Sequence, residues 1–286
     1  MSSLAPTVLA LDIGATKAEG AVVTASGEIL SRARVGVAEA GDNLLAEIVS
    51  MLLALRRDQN VSAIGVGCAG PMGQGGSWVS PLNIPQWRNL ALRDELARAT
   101  GLQVAVDGDV RALALAEGHF GAAKGQVNYA SLVVYTGIGG ALVLDGRLLD
   151  GASGNSGHIG HLTVVPDGRA CSCGSRGCLE AEASGWAIAQ MTGRPPAEAS
   201  VEVRVRVAQL VGRAIGSLAA VLDFTHCFVA GSVALGFGDE FFAEATQHAR
   251  SVATLDFAKD IAVVRSGLGA DGPILGAALV GRHFSE

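Results

Sequence analysis

Short apolar runs alternate with longer stretches of helical spacing along most of the chain. Residues 8–12 form an apolar run that meets Gly14, Thr16 and Lys17 and resumes at Ala21, Val22 and Val23, which predicts strand, turn and strand. The arrangement returns at 131–144, where Leu132, Val133 and Val134 lead into Thr136, Gly137, Gly139 and Gly140 and then into Ala141, Leu142 and Val143. Two such hairpins far apart in one chain predict two similar halves, each offering a glycine turn to an anion. Helical spacing is expected over 43–57, with Leu44, Ile48, Met51, Leu52 and Leu55 on one face, and over 90–100, 110–120, 184–191, 205–222, 241–251 and 273–280. Buried strands are expected at 63–67, 102–106, 227–230 and 261–264. Strands alternating with helices make this an α/β chain.

Length and composition narrow the class. With 286 residues there is room for two domains, and 49% apolar against 17% charged residues describes packed cores and not a disordered polymer. A net charge of -6 without any Lys/Arg cluster argues against nucleic acid as partner. Residues 1–7 carry no basic region ahead of an apolar run, and no stretch reaches the uninterrupted apolar length of a membrane span, so a cytoplasmic protein without membrane contact is expected. Cys68 and Cys227 sit alone in apolar runs, as core thiols do.

The other three cysteines are a different matter. Cys171, Cys173 and Cys178 fall within eight residues, broken by Gly174 and Gly177, and His161 precedes them by a short loop. Three thiolates and an imidazole on a tight turn are the donor set of a tetrahedral zinc site. Four protein ligands leave no open position, so the ion would be structural, and a disulfide plus a spare thiol is the alternative.

Gly65-x-Gly67-x-x-Gly70 matches a dinucleotide fingerprint by letter. Pro71, Gly73, Gly75 and Gly76 follow, where that fingerprint needs a helix to receive the pyrophosphate, so a loop is expected. Asp12-Ile13-Gly14-Ala15-Thr16-Lys17 offers backbone donors, a hydroxyl, an ammonium and a carboxylate able to hold Mg²⁺ through water, although a plain hairpin turn would look much the same. Asp109, ahead of an apolar helix, reads locally as a helix cap before it reads as a carboxylate positioned for general base work.

Gly160-His161, nine residues, then Cys-x-Cys-Gly-x-x-Gly-Cys-x-Glu from Cys171 to Glu180 resembles the signature of the ROK family of sugar kinases and sugar-responsive repressors, within the actin-like ATPase superfamily. The resemblance extends to both glycine hairpins, to Gly231-Ser232-Val233 as an adenosine loop, and to Asp109-Val110-x-Ala112 through Glu117 as the segment holding the base. It implies an α/β, two-domain actin-like (ribonuclease H-like) ATPase fold with an interdomain cleft, the smaller domain spanning 1–108 plus 272–286 and the larger 109–271. It also implies ATP-dependent phosphorylation of a hexose 6-hydroxyl, with Asp109 as general base, ATP and Mg²⁺ at Asp12, Gly14, Thr16, Lys17, Thr136, Gly137, Gly139 and Gly231, and structural Zn²⁺ at His161, Cys171, Cys173 and Cys178. Sugar contacts would come from Asn83, Asp109, His158, His161 and Glu180, and a homodimer is the implied assembly.

His158 stands where glucokinase-like members carry Glu, so that Gly157-His158-Ile159-Gly160-His161 resembles bacterial N-acetylmannosamine kinases; that sugar is the expected acceptor and glucose the alternative. Gly108 and Arg111 stand where the family carries asparagines, which leaves a sugar-binding regulator without catalysis as a second reading. Against it, the family's repressors carry an N-terminal helix-turn-helix, and here the first phosphate motif begins close to Met1.

Overall fold

The computed structural model describes residues 7–283. The opening residues without a leader pattern, 1–6, lie outside the described residues.

Five strands build the first sheet: β1 (Thr7–Ile13), β2 (Lys17–Val23), β3 (Ile29–Gly36), β4 (Val61–Cys68) and β5 (Gln103–Gly108), in the order β3-β2-β1-β4-β5. The first three pair antiparallel, β4 runs parallel to β1, and β5 runs parallel to β4. A second set follows: β6 (Tyr129–Val134), β7 (Ile138–Leu144), β8 (Arg147–Leu148), β9 (His226–Ala230) and β10 (Ala262–Arg265). Its order, β10-β9-β6-β7-β8, repeats the first: three antiparallel strands, then two parallel ones beyond the first of them. The two similar halves expected from the hairpins are therefore one topology used twice.

Each sheet has its own core. Leu9, Leu11 and Ile13 pack with Leu44, Ile48 and Leu52 of the helix Leu44–Arg56 in the first. Leu132, Val134 and Val229 pack with Ile188, Val211, Ile215 and Phe241 in the second. The longest helix, Val201–Leu222, is long and apolar enough by composition to cross a bilayer, yet Val207, Val211, Ile215 and Ala219 lie fully buried in that second core.

The first compact unit comprises the residues up to 120, 150–156, and those from 270 onward; the second comprises 121–149 and 157–269. This division differs from a boundary at 108/109, because the helix Asp109–His119 packs with β4 and with the helix Gly272–His283. The close approach depends on missing side chains: a Cβ at Gly65 would strike the Ala277 carbonyl and Gly281, and one at Gly276 would strike the Ala112 backbone. Gly65 thus serves helix packing and no nucleotide fingerprint. β4 ends at Cys68 and the chain goes on as loop with a single 3₁₀ turn, Gln74–Gly76.

Candidate functional site

The first unit presents a row of acidic residues across four strands. Register places Glu19 on β2 opposite Asp12 on β1, Asp12 opposite Gly67 on β4, and Gly67 opposite Asp107 on β5. Neighbours in register share a face, so Gly67 is a gap in an otherwise acidic row. A Cβ there would lie 3.6 Å from Asp12 Oδ1 and 3.6 Å from the Asp109 Cα. The Asp12 carboxylate and the Asp109 backbone, with the Ala112 methyl at 3.5 Å, therefore border the space beside Gly67.

Their proximity is electrostatically expensive. Burial, then the charge of Asp109, and to a smaller extent Glu19, push the Asp12 carboxyl up to about 7, with Lys17 opposing. Cys68, fully buried one residue beyond Gly67, is raised by burial first and then by Asp109 and Asp12. Such a pair of carboxylates has the donor chemistry to hold a divalent cation. Glu19 behaves differently. Burial opposes its ionisation, but Lys17 at 2.6 Å and Arg34 at 2.9 Å hold it below the ordinary carboxylate range, and Arg32 adds an ion pair at 3.2 Å.

The first glycine turn is closed by Gly14 N–H donating to the Lys17 carbonyl (3.0 Å) and is anchored by Val37 N–H donating to the Thr16 carbonyl (3.0 Å). Lys17 and Thr16 are exposed, although the Lys17 ammonium is committed to Glu19. Asp109 is not the helix cap that its position suggested. Gly108 occupies the cap, and Asp109 is the first helical residue, half-buried, with Oδ1 accepting from Val110 N–H at 2.8 Å. Asn83 lies exposed on a turn closed by Ile84 N–H donating to the Pro81 carbonyl.

The second unit gathers the other candidates. His161 Nδ1 stands 3.6 Å from Cys171 Sγ, Cys173 Sγ stands 3.7 Å from Cys178 Sγ, and the four ligand atoms lie within 4.8 Å of one another. Zinc bonds of about 2.3 Å to sulfur and 2.0–2.1 Å to nitrogen in a tetrahedron make edges of about 3.8 Å (S···S) and 3.6 Å (S···N). The donor set fits that ion in chemistry and in size. Burial, then the neighbouring Cys171 and Cys173, push the Cys178 thiol up to about 12.

The loop reaches this geometry by packing on the second glycine hairpin. Gly157, at φ 97°, brings its Cα against the Gly140 carbonyl and Ala141, and a Cβ on Gly157 would lie 2.6 Å from that oxygen. His158 is exposed and stacks on His161 with ring centroids 5.9 Å apart. Glu180 Oε2 accepts from Ile138 N–H at 2.8 Å and fills the space beside Gly137, so one of its oxygens braces the turn. Thr136 is exposed, and its carbonyl accepts from Trp186 N–H at 3.0 Å. Gly139 is half-buried at the start of β7. Gly231, at φ 98°, lies directly against the Val134 backbone. Thr136, Gly137, Gly139 and Gly231 thus share one end of the second sheet, while Asp12, Gly14, Thr16, Lys17 and Asp109 share the first unit.

Glu19 is not among the residues expected at the site, and Gly67 is expected only as the end of the strand 63–67. Glu19 follows Lys17 by two residues in a strand, which puts both side chains on one face, and that spacing was a usable signal. Gly67 matters only through its register with Asp12, which sequence does not carry.

Two sheets of one repeated topology, each ending in a glycine hairpin, define an actin-like ATPase fold. The chain belongs to the ROK family, whose family description matches residues 8–283. It is similar to a glucokinase of Thermotoga maritima, 37% identical over 185 residues covering 63% of this chain and 58% of that protein. It is also similar to an N-acetylmannosamine kinase of Pasteurella multocida, 32% identical over 247 residues covering 80% and 82% of the two chains. Against the glucokinases the chain spans less than two thirds of their length. Among solved structures, a ROK family glucokinase from Streptomyces griseus in complex with glucose and AMPPNP superposes with a TM-score of 0.83 at 28% identity, covering 97% of this chain and 99% of that one.

Proposed function

We propose that this chain is an ATP- and Mg²⁺-dependent kinase that phosphorylates the 6-hydroxyl of a hexose, with N-acetylmannosamine as the preferred acceptor and glucose as the alternative. The observation that carries the reading is the pair Asp12 and Asp109 beside Gly67, close enough for the charge of Asp109 to raise the Asp12 carboxyl. Phosphoryl transfer to a hydroxyl asks for two acidic roles, one carboxylate to take the proton and another to hold a cation near the phosphates. Asp109, carried by the first turn of a helix that favours its ionised form, takes the proton from the attacking hydroxyl. Asp12 would hold Mg²⁺, which when bound offsets charge on the transferring phosphoryl oxygens. Gly14, Thr16 and Lys17 in one unit and Thr136, Gly137, Gly139 and Gly231 in the other would hold the nucleotide.

Zn²⁺ at His161, Cys171, Cys173 and Cys178 would pin the loop that carries His158 and leads into Glu180. Asn83, Asp109, His158, His161 and Glu180 would contact the sugar. A closed four-ligand cage has no vacancy for substrate, so the metal's part is structural. The protein is read as a cytoplasmic homodimer, with no nucleic acid or membrane as partner.

A coupled assay of ADP release across N-acetylmannosamine, glucose and N-acetylglucosamine tests the reading. Turnover led by N-acetylmannosamine is expected; a rate led by glucose selects the alternative acceptor, and no turnover with any of the three defeats the proposal.

A further inference from the structure

Arg111 is the one lysine or arginine in the buried class among the described residues. Placing a guanidinium there is unfavourable unless it is paired, and the pairing is unusual. Its Nε donates to Asp107 Oδ1 at 2.5 Å within the helix-bearing scaffold. Its Nη2 donates to Asp150 Oδ1, also at 2.5 Å, on a segment that comes from elsewhere in the chain. The side chain of Asp150 is 74% exposed against 11% for Arg111, so the buried cation reaches outward to hold a loop and does not complete a core.

That loop has a singular course. The chain leaves the second sheet after β8, lies within the first unit over 150–156, and returns at Gly157 to supply His158 and His161. Gly151, Ala152 and Ser153 are exposed, so apolar burial does not anchor it. Polar contacts hold both ends: Arg111 at Asp150, and Asn155, whose Nδ2 donates to the Met72 carbonyl (3.1 Å) and whose Oδ1 accepts from Met72 N–H (3.5 Å). Arg111 is two residues beyond Asp109, and its aliphatic stem lies over Gly108, where a Cβ would come within 3.3 Å of Arg111 Cδ. Gly108 and Arg111 are thus one feature: the glycine leaves the space through which the arginine reaches the loop.

We infer that Arg111 is a positioning residue for the acceptor sugar, acting through Asp150 to hold residues 150–156 beside the helix that begins with Asp109. This rests on the kinase reading. A hexose is recognised by converging hydrogen-bond donors and acceptors, and a segment bearing Asp150, Ser153 and Asn155 supplies both kinds. Held, it presents them in one arrangement; released, it must be ordered again by each incoming sugar.

The test combines hydrogen exchange with steady-state kinetics on the full chain and on Arg111→Met, Arg111→Lys and Asp150→Ala. Asp150→Ala keeps the Arg111–Asp107 pair and alters only an exposed side chain, so it remains informative should Arg111→Met fold poorly. Protection of residues 150–156 is expected to fall about tenfold or more in Arg111→Met and Asp150→Ala, with β4 unchanged. KM for the hexose is expected to rise about fivefold or more while KM for ATP stays within about twofold. Arg111→Lys should fall between, since a single ammonium cannot serve both carboxylates as the guanidinium fork does. Unchanged protection of 150–156, or equal shifts in both KM values, overturns the inference. A parent protein that phosphorylates no hexose overturns the kinase reading and the sugar role with it, whereas the exchange measurement still decides whether Arg111 holds the segment.

Discussion

The acidic gap of the first unit and the Cys₃His cluster of the second are both collections of negative groups, but they are built in opposite ways. In the cluster, four ligand atoms close on one point with tetrahedral spacing, and only Cys173 of the three cysteines is exposed. Around Gly67, the half-buried Asp12 and Asp109 come together beside the Ala112 methyl, and the Asp12 carboxyl is pushed up to about 7. A closed set of soft donors stores its cation and stabilises a loop. On the kinase reading, a pair of hard carboxylate donors suits a Mg²⁺ ion that arrives and leaves with the nucleotide.

Four perturbations separate the two regions. Asp109→Asn should lower kcat in the hexose assay by about 10²–10⁴. Its melting temperature should hold or rise, because the charge that disfavours ionisation of Asp12 is gone; full activity would reduce Asp109 to a helix residue. Cys173→Ser, or chelation of the parent, should remove one zinc per chain by metal analysis and lower the melting temperature by about 10 °C. An unchanged melting temperature after demonstrated metal loss would contradict a structural role.

The third perturbation is pH. Asp12 has a folded pKa raised from 3.8 to about 7, so the folded state binds the extra proton between those values. Its contribution to stability is therefore most favourable below pH 4, declines as pH rises toward 7, and is flat above that. Denaturant titrations of the parent and of Asp12→Asn, compared at several pH values, should diverge over that window and run parallel above it. A constant difference from pH 4 to 8 would mean that Asp12 is not perturbed. The smallest effect belongs to Gly67→Ala. The methyl meets only ordinary contacts, so the melting temperature should move by about 2 °C or less, while a group intruding beside Asp12 and Asp109 lowers kcat/KM about tenfold. Activity equal to the parent would show that the gap is not used.

Much of this arrangement could be read from short stretches of sequence. The hairpins at Gly14 and Gly137, the metal loop and the alternating elements are all local, and glycine, cysteine and periodicity report local geometry. β3 escaped notice because it is an edge strand whose outward positions carry Leu30, Arg32 and Arg34, which blurs its apolar pattern. Asp109 was expected as a possible cap, and only backbone dihedrals at Gly108 move it one position into the helix. The gap at Gly67, the cations around Glu19 and the capture of 150–156 by Arg111 depend on strand register and on contacts between distant residues. No local pattern encodes them.

The most direct test of the contrast is hexose phosphorylation measured on protein whose cage holds zinc and on protein whose cage holds cobalt, with Mg²⁺ supplied in both. The account predicts a tetrahedral thiolate spectrum for the cobalt form and a kcat within about twofold of the zinc form, since chemistry runs at the carboxylates beside Gly67. A rate that follows the identity of the cage metal, or no hexose phosphate from either form, would contradict it.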